Sequence, residues 1–231
     1  MSARRSVNSP KPGQSAQSNA RFALDPYFAC LIFAAVGLGT LKLGTSPRLI
    51  ILWTTLIGLW LAFREGQAVQ IGYQFRDIGR GAGIGLLIGD PLLLLAFRAL
   101  ATAIPILYVS GEPSPIVGAS GTMIFGSLVL VAPLAEELFF RDILHRERGF
   151  WISIGLYAAA GVIFFLPTAG GFPAVLVAVS GATAVLGILY AFLYERYGLT
   201  ITLACHATIN LVLLFVPAIV SHLGLFAQGG S

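Results

Sequence analysis

Charge is scarce in this 231-residue chain, with Asp, Glu, Lys and Arg making up 10% of the residues against 57% apolar ones. An ordinary soluble domain carries about 25% charged residues, so the polar surface needed to cover a globule in water is missing. Cysteine is scarcer still: only Cys30 and Cys205 occur, both in apolar segments. A disulfide framework and a cysteine-rich zinc site are excluded, and the two read as small buried hydrophobes. The three histidines include no His-Glu-x-x-His pair of the zinc-peptidase kind. Internal repeats, a glycine-rich phosphate loop, a nucleic-acid module and the ten-residue alternation of a transmembrane β-strand are also lacking. The net charge of +4 is therefore better explained by topology and anionic lipid than by nucleic acid.

What the chain does have is long apolar runs, with a mean hydropathy of +0.86. A helix needs about 20 mostly apolar residues to cross roughly 30 Å of hydrocarbon. Runs at Tyr27 to Leu41, Arg48 to Phe63, Ala82 to Tyr108, Thr122 to Leu144, Trp151 to Pro167, Pro173 to Tyr194 and Leu199 to Val220 predict seven spans. The fold class is an all-α integral membrane protein, a polytopic bundle of about seven (six to eight) transmembrane helices. The third run contains Asp90-Pro91 and Arg98, so a break there would change the count. Residues 1–24, rich in Ser, Gln, Asn and Pro with Arg4, Arg5 and Lys11, lack an apolar block for a cleavable signal and read as a disordered basic tail. Residues 25–222 then form the membrane domain and 223–231 a short C-terminal tail.

Arg64, Arg76 and Arg80, then Arg146 and Arg148, then Arg196 fall in alternate connections. Short basic loops stay cytoplasmic, so the N-terminus is expected inside and the C-terminus outside, in a cell membrane. Lys42 and Arg48 in the first hairpin are the exception. Gly83, Gly85, Gly181 and Gly187 are candidates for close helix approach.

Within the fourth run stand two adjacent acids and a base, Glu136, Glu137 and Arg141. Ionisable groups at membrane depth cost roughly 2.5 to 3.5 kcal/mol each, which makes such a cluster a functional-site hypothesis. Glu137 and Arg141 are four apart and share a helical face, whereas Glu136 points about 100° away and is left the freer acid. An acid facing an apolar, partly hydrated cavity suits a general base acting on water. A purely structural clamp of both acids with Arg141 is the alternative at this stage. In the last run His206 and Asn210 are also four apart, so both project to one side and could present donors to a developing oxyanion. Counted from the turns near Gly149 and Gly198, Glu136 and His206 lie at similar depth on the cytoplasmic side and could meet in one cavity.

Glu136-Glu137-Leu138-Phe139-Phe140-Arg141 resembles the EExxxR motif of the CAAX prenyl protease and bacteriocin-processing family, and His206 to Asn210 resembles its terminal HxxxN. Ala132-Pro133 before the acids, and Gly187 to Tyr190 with Tyr194 to Gly198 before the histidine, agree with it as well. The likeness covers roughly residues 122–215. It implies a glutamic-type intramembrane endopeptidase in which Glu136 activates water, Glu137 and Arg141 form a supporting ion pair, and His206 with Asn210 stabilises the oxyanion. The implied partners are the bilayer and a membrane-embedded or lipidated peptide or protein substrate, cut near the cytoplasmic leaflet, with no nucleic acid and no cofactor. Metal binding by two Glu and one His ranks below water activation.

The chain departs from the family at its middle motif, FxxxH. The sequence reads Phe164-Phe165-Leu166-Pro167-Thr168-Ala169, so Thr168 or Ala169 stands where the histidine is expected. Thr168 can hydrogen-bond a water but cannot act as a base at neutral pH. A degenerate relative that binds a membrane peptide or assists another membrane protein without hydrolysis is therefore the second reading. Asp90 and Arg98, eight apart, are expected to pair or to line a polar cavity. His145, in the basic turn, is expected at the headgroups, and His222 beyond the last span.

Overall fold

In hydrocarbon every backbone polar group must be paired within the protein, which makes helices of the apolar runs. The computed structural model describes residues 25–64, 74–109, 126–169, 171 and 173–222; both predicted tails lie outside these residues. Among the described residues seven helices follow in order: α1 Pro26–Gly39, α2 Thr45–Phe63, α3 Phe75–Val109, α4 126–148, α5 Phe150–Ala169, α6 Pro173–Tyr197 and α7 199–222. Each predicted run is thus one helix. Segments Thr45–Phe63, Phe75–Ile104, Phe150–Thr168 and Pro173–Tyr197 are individually long and apolar enough to cross a membrane. The protein is a helical integral membrane protein.

The third run is a single helix of 35 residues that carries Pro91 without a break. The expected pairing of Asp90 with Arg98 does not occur. Both side chains are exposed on the outside of α3, because eight residues span about 12 Å of helix, beyond the reach of a direct pair. His222 lies in the last turn of α7, not past it.

Helices consecutive in sequence run antiparallel, so one end of the bundle collects Arg64, Arg146 and Arg148. There Asp142 accepts hydrogen bonds from Trp60 Nε1 at 2.8 Å, from Arg64 Nε at 3.0 Å and from Arg146 at 3.2 Å, tying α2 to α4. Arg148 pairs with Asp25 at the start of α1. Gly149 and Gly198, with φ of +86° and +87°, turn the chain between α4 and α5 and between α6 and α7 at this basic end.

Arg48, the exception to the charge bias, is 1% exposed. Its guanidinium donates to the carbonyls of Gly37, Ile163 and Phe164. In an α-helix the Ile163 carbonyl looks to the amide of residue 167, a proline without an N–H. Arg48 supplies the missing donor, so this charge belongs to the protein interior and not to a loop.

α3 and α7 pack along a seam of small residues at Gly81, Gly85 and Gly89. A methyl group at Gly85 would sit 2.8 Å from the Cys205 carbonyl oxygen. Of the four glycines expected at contacts, Gly85 and Gly187 are there, while Gly83 and Gly181 face open space. A spacing of four keeps a ridge on one face, and Gly83 falls opposite it.

Candidate functional site

α4 is not a uniform helix. Residues Gly126–Val131 and Leu138–His145 take the wider π register, and an α-helical stretch, Ala132–Glu137, lies between them and carries both acids. α7 is built alike, with Leu199–Asn210 α-helical and Leu211–Phe215 in π register. Two of these π segments end two residues before a proline, Pro133 or Pro217. Where the ladder must pass a residue without an N–H, it widens.

Glu137 is fully buried. Its Oε1 lies 2.8 Å from Nδ1 of His206 and its Oε2 lies 3.4 Å from Nε of Arg141. Arg141, equally buried, donates to Ser153 Oγ at 2.7 Å and to the Gly187 carbonyl at 3.3 Å, and its guanidinium lies over the Tyr157 ring. Ser153 in turn donates to the Phe140 carbonyl at 2.8 Å. The Glu137–Arg141 contact lacks hydrogen-bond alignment, so it acts through charge, and Ser153 and Gly187 fix the arginine.

Glu136 points the other way, as its place on the helix requires. Oε2 accepts from the Tyr157 hydroxyl at 2.8 Å, and Oε1 accepts from Trp53 Nε1 at 3.3 Å. His206 Nε2 is 3.9 Å from Glu136 Oε2, too far for a direct hydrogen bond and suited to a bridging water. The imidazole is therefore held between the two acids. Tyr190 stacks on it at 4.3 Å between ring centroids and 19° between planes. With Glu137 accepting from Nδ1–H, Nε2 faces Glu136 with its lone pair, or donates when the ring is protonated.

Glu136, Tyr157 and His206 form the polar floor of a cavity of about 200 Å³. Its walls are mostly aliphatic and aromatic, among them Leu49, Leu128, Phe164, Leu186 and Leu213.

The structure brings Glu136, Glu137, Arg141 and His206, read from the sequence as two separate motifs that could meet, into one constellation. Sequence reasoning missed Trp53 and Tyr157, which hold the Glu136 carboxylate, and Tyr190 and Ser153 behind them. An aromatic in an apolar run is ordinarily core, and only the hydroxyl and indole N–H hinted at more.

Asn210 lines the cavity, yet its amide donates to the Leu128 carbonyl at 2.9 Å. In π register that carbonyl looks to residue 133, which is proline, and Asn210 takes the place of the missing amide. One of its two N–H groups is left for other work. The Thr168 hydroxyl is turned back on its own helix, donating to the Phe165 carbonyl at 3.1 Å. His145 is not exposed on the basic turn: it is buried between the rings of Phe150 and Tyr194, with Nε2 3.2 Å from Glu195. An imidazole at the end of a helix packed by aromatic neighbours is better covered than solvated. Among the described residues no group of three or more His, Cys, Asp and Glu side chains is placed to hold a metal ion.

Residues 118–212 match the family described as Rce1-like, type II CAAX prenyl endopeptidase. That segment contains Glu136, Glu137, Arg141, Thr168, His206 and Asn210. No curated protein and no solved structure gives a match.

Proposed function

We propose, on the premise that residues 118–212 place this chain with the CAAX protease and bacteriocin-processing family, that the protein is an intramembrane endopeptidase using Glu136 to activate water. The observation that carries this reading is the His206 imidazole standing 2.8 Å from Glu137 and 3.9 Å from Glu136 at the floor of an apolar cavity. A water between Glu136 Oε2 and His206 Nε2 gives up a proton to the carboxylate as its oxygen attacks the peptide carbonyl carbon. The carbonyl oxygen becomes an oxyanion, which accepts hydrogen bonds from the remaining N–H of Asn210 and from Nε2–H of His206, a ring that enters the step already carrying both protons beside the Glu137 carboxylate. Glu136 then passes its proton to the amine nitrogen as the C–N bond breaks. Glu137 orients and stabilises the imidazole as the carboxylate of a His-acid pair does, and Arg141 offsets its charge. Tyr157 and Trp53 fix the rotamer of Glu136. The substrate class is a membrane-embedded or lipidated peptide or protein.

A second reading is favoured by Thr168, whose hydroxyl is spent on Phe165 where the family has a histidine. A site short of one acid/base partner loses about 10²- to 10⁴-fold in rate, and a chain that keeps only the cavity would bind a membrane peptide without cutting it. Both readings are tested by quantitative proteomics of host membranes carrying wild type, Glu136→Gln or Thr168→His, scored for new peptide termini at equal protein level. Termini lost with Glu136→Gln support the peptidase. Termini found only with Thr168→His, or with no variant, support the binding protein.

A further inference from the structure

Water and a scissile bond must both reach Glu136, and the packing around it is one-sided. Toward the basic end the site is closed by Glu137, Phe139, Arg141, Leu144, Tyr190 and Cys205, all without solvent exposure. Away from that end it opens. The cavity wall continues past Glu136 through Ala132 and Leu128 of α4 and Gly161 and Phe165 of α5.

Among the described residues the side wall there is incomplete, although Leu100, Ala103 and Ile104 of α3 also reach into the lining. α7 packs along α3 over its whole length, but it packs closely on α6 only through Leu199–Asn210. Beyond Asn210 the two helices part. Val179, Ala182 and Thr183 of α6 and Leu213 and Leu214 of α7 line the resulting cleft, and Ala182 is itself exposed. A second cavity, of about 280 Å³, lies nearer the basic end between α3, α4 and α7, bordered by Ile78, Leu138 and Thr200. Glu136, Tyr157 and His206 are absent from its lining, so it does not lead to the site.

We propose that the substrate is an apolar peptide segment that reaches Glu136 sideways from the bilayer, through the cleft between α6 and the second half of α7. This proposal rests on the peptidase reading and specifies its substrate: an uncharged membrane segment presented to Glu136 from the side away from the basic end. Among the described residues the cleft beyond Glu136 and His206 at its floor has no charged lining residue, which favours an uncharged stretch of membrane segment, since a charge entering it would be desolvated without a partner.

The route is tested with dicyclohexylcarbodiimide, an apolar reagent that enters from the bilayer and modifies carboxyl groups, by measuring the adduct on Glu136 by mass spectrometry in native membranes. Ala182→Trp, and separately Val179→Trp, should plug the cleft and lower the adduct at least tenfold at unchanged melting temperature. Thr200→Trp, in the other cavity, should leave it within twofold. Protection by Thr200→Trp with none from the cleft variants, or no adduct on folded wild type, overturns the proposal. Glu136-dependent termini are scored in the same variants. If wild type produces none, the peptidase reading fails, while the adduct pattern still decides the route.

Discussion

Arg141→Ala is the substitution whose cost follows most directly from the packing. The guanidinium is fully buried and makes four contacts: charge on Glu137 at 3.4 Å, hydrogen bonds to Ser153 Oγ and the Gly187 carbonyl, and the Tyr157 ring. Removing one partner of a buried pair costs about 3 to 5 kcal/mol, because the other charge is left uncompensated. For a chain of this size each kcal/mol shifts the melting point by about 2 to 4 °C, so the loss should be about 6 to 20 °C in detergent. Arg141→Lys keeps the charge but cannot reach Glu137, Ser153 and Gly187 together, and should recover about half of it. The ion pair itself is isolated by repeating Arg141→Ala in a Glu137→Gln background, where no carboxylate is stranded. The drop should shrink there by at least about 1.5 kcal/mol, in line with coupling between residues in contact. An equal drop in both backgrounds, within about 0.5 kcal/mol, would refute the pairing and leave Arg141 as a brace for Ser153 and Gly187 alone.

Tyr157→Phe removes the hydroxyl at 2.8 Å from Glu136 and keeps the ring; Glu136-dependent cleavage should fall about 10- to 100-fold while melting changes by about 1 kcal/mol, and undiminished cleavage would exclude Tyr157 from holding the base. Arg48→Met leaves the Ile163 and Phe164 carbonyls without their donor and should cost about 2 to 4 kcal/mol. Adding Pro167→Ala gives Ile163 an amide partner and should restore at least about 1 kcal/mol; a melting curve with no such recovery would show that Arg48 does not serve the proline-orphaned carbonyl. Asn210→Asp keeps the shape but cannot donate to the Leu128 carbonyl, so it should lower the melting point by the equivalent of about 1 to 3 kcal/mol. Unchanged melting with lost cleavage would instead assign the amide wholly to the substrate.

The amino-acid sequence by itself determined the solvent and the all-helical class of the fold. With so little charge the chain can be covered only by lipid, and an apolar run of sufficient length becomes a helix whatever its neighbours do. It also determined that Glu137 shares a face with Arg141 and that Glu136 does not, because that follows from 3.6 residues per turn. Tertiary structure alone decided what meets those faces. Trp53 and Tyr157 reach Glu136 across 83 and 21 residues of chain, and no local pattern encodes such a distance. The same holds for Arg48 and Asn210, a surface charge and an oxyanion donor by sequence, which the packing sets against carbonyls that prolines leave unpaired. Which end of the site is open was likewise decided late, since depth along two helices fixes how far Glu136 and His206 lie from a turn, but only the parting of α6 from α7 creates the cleft.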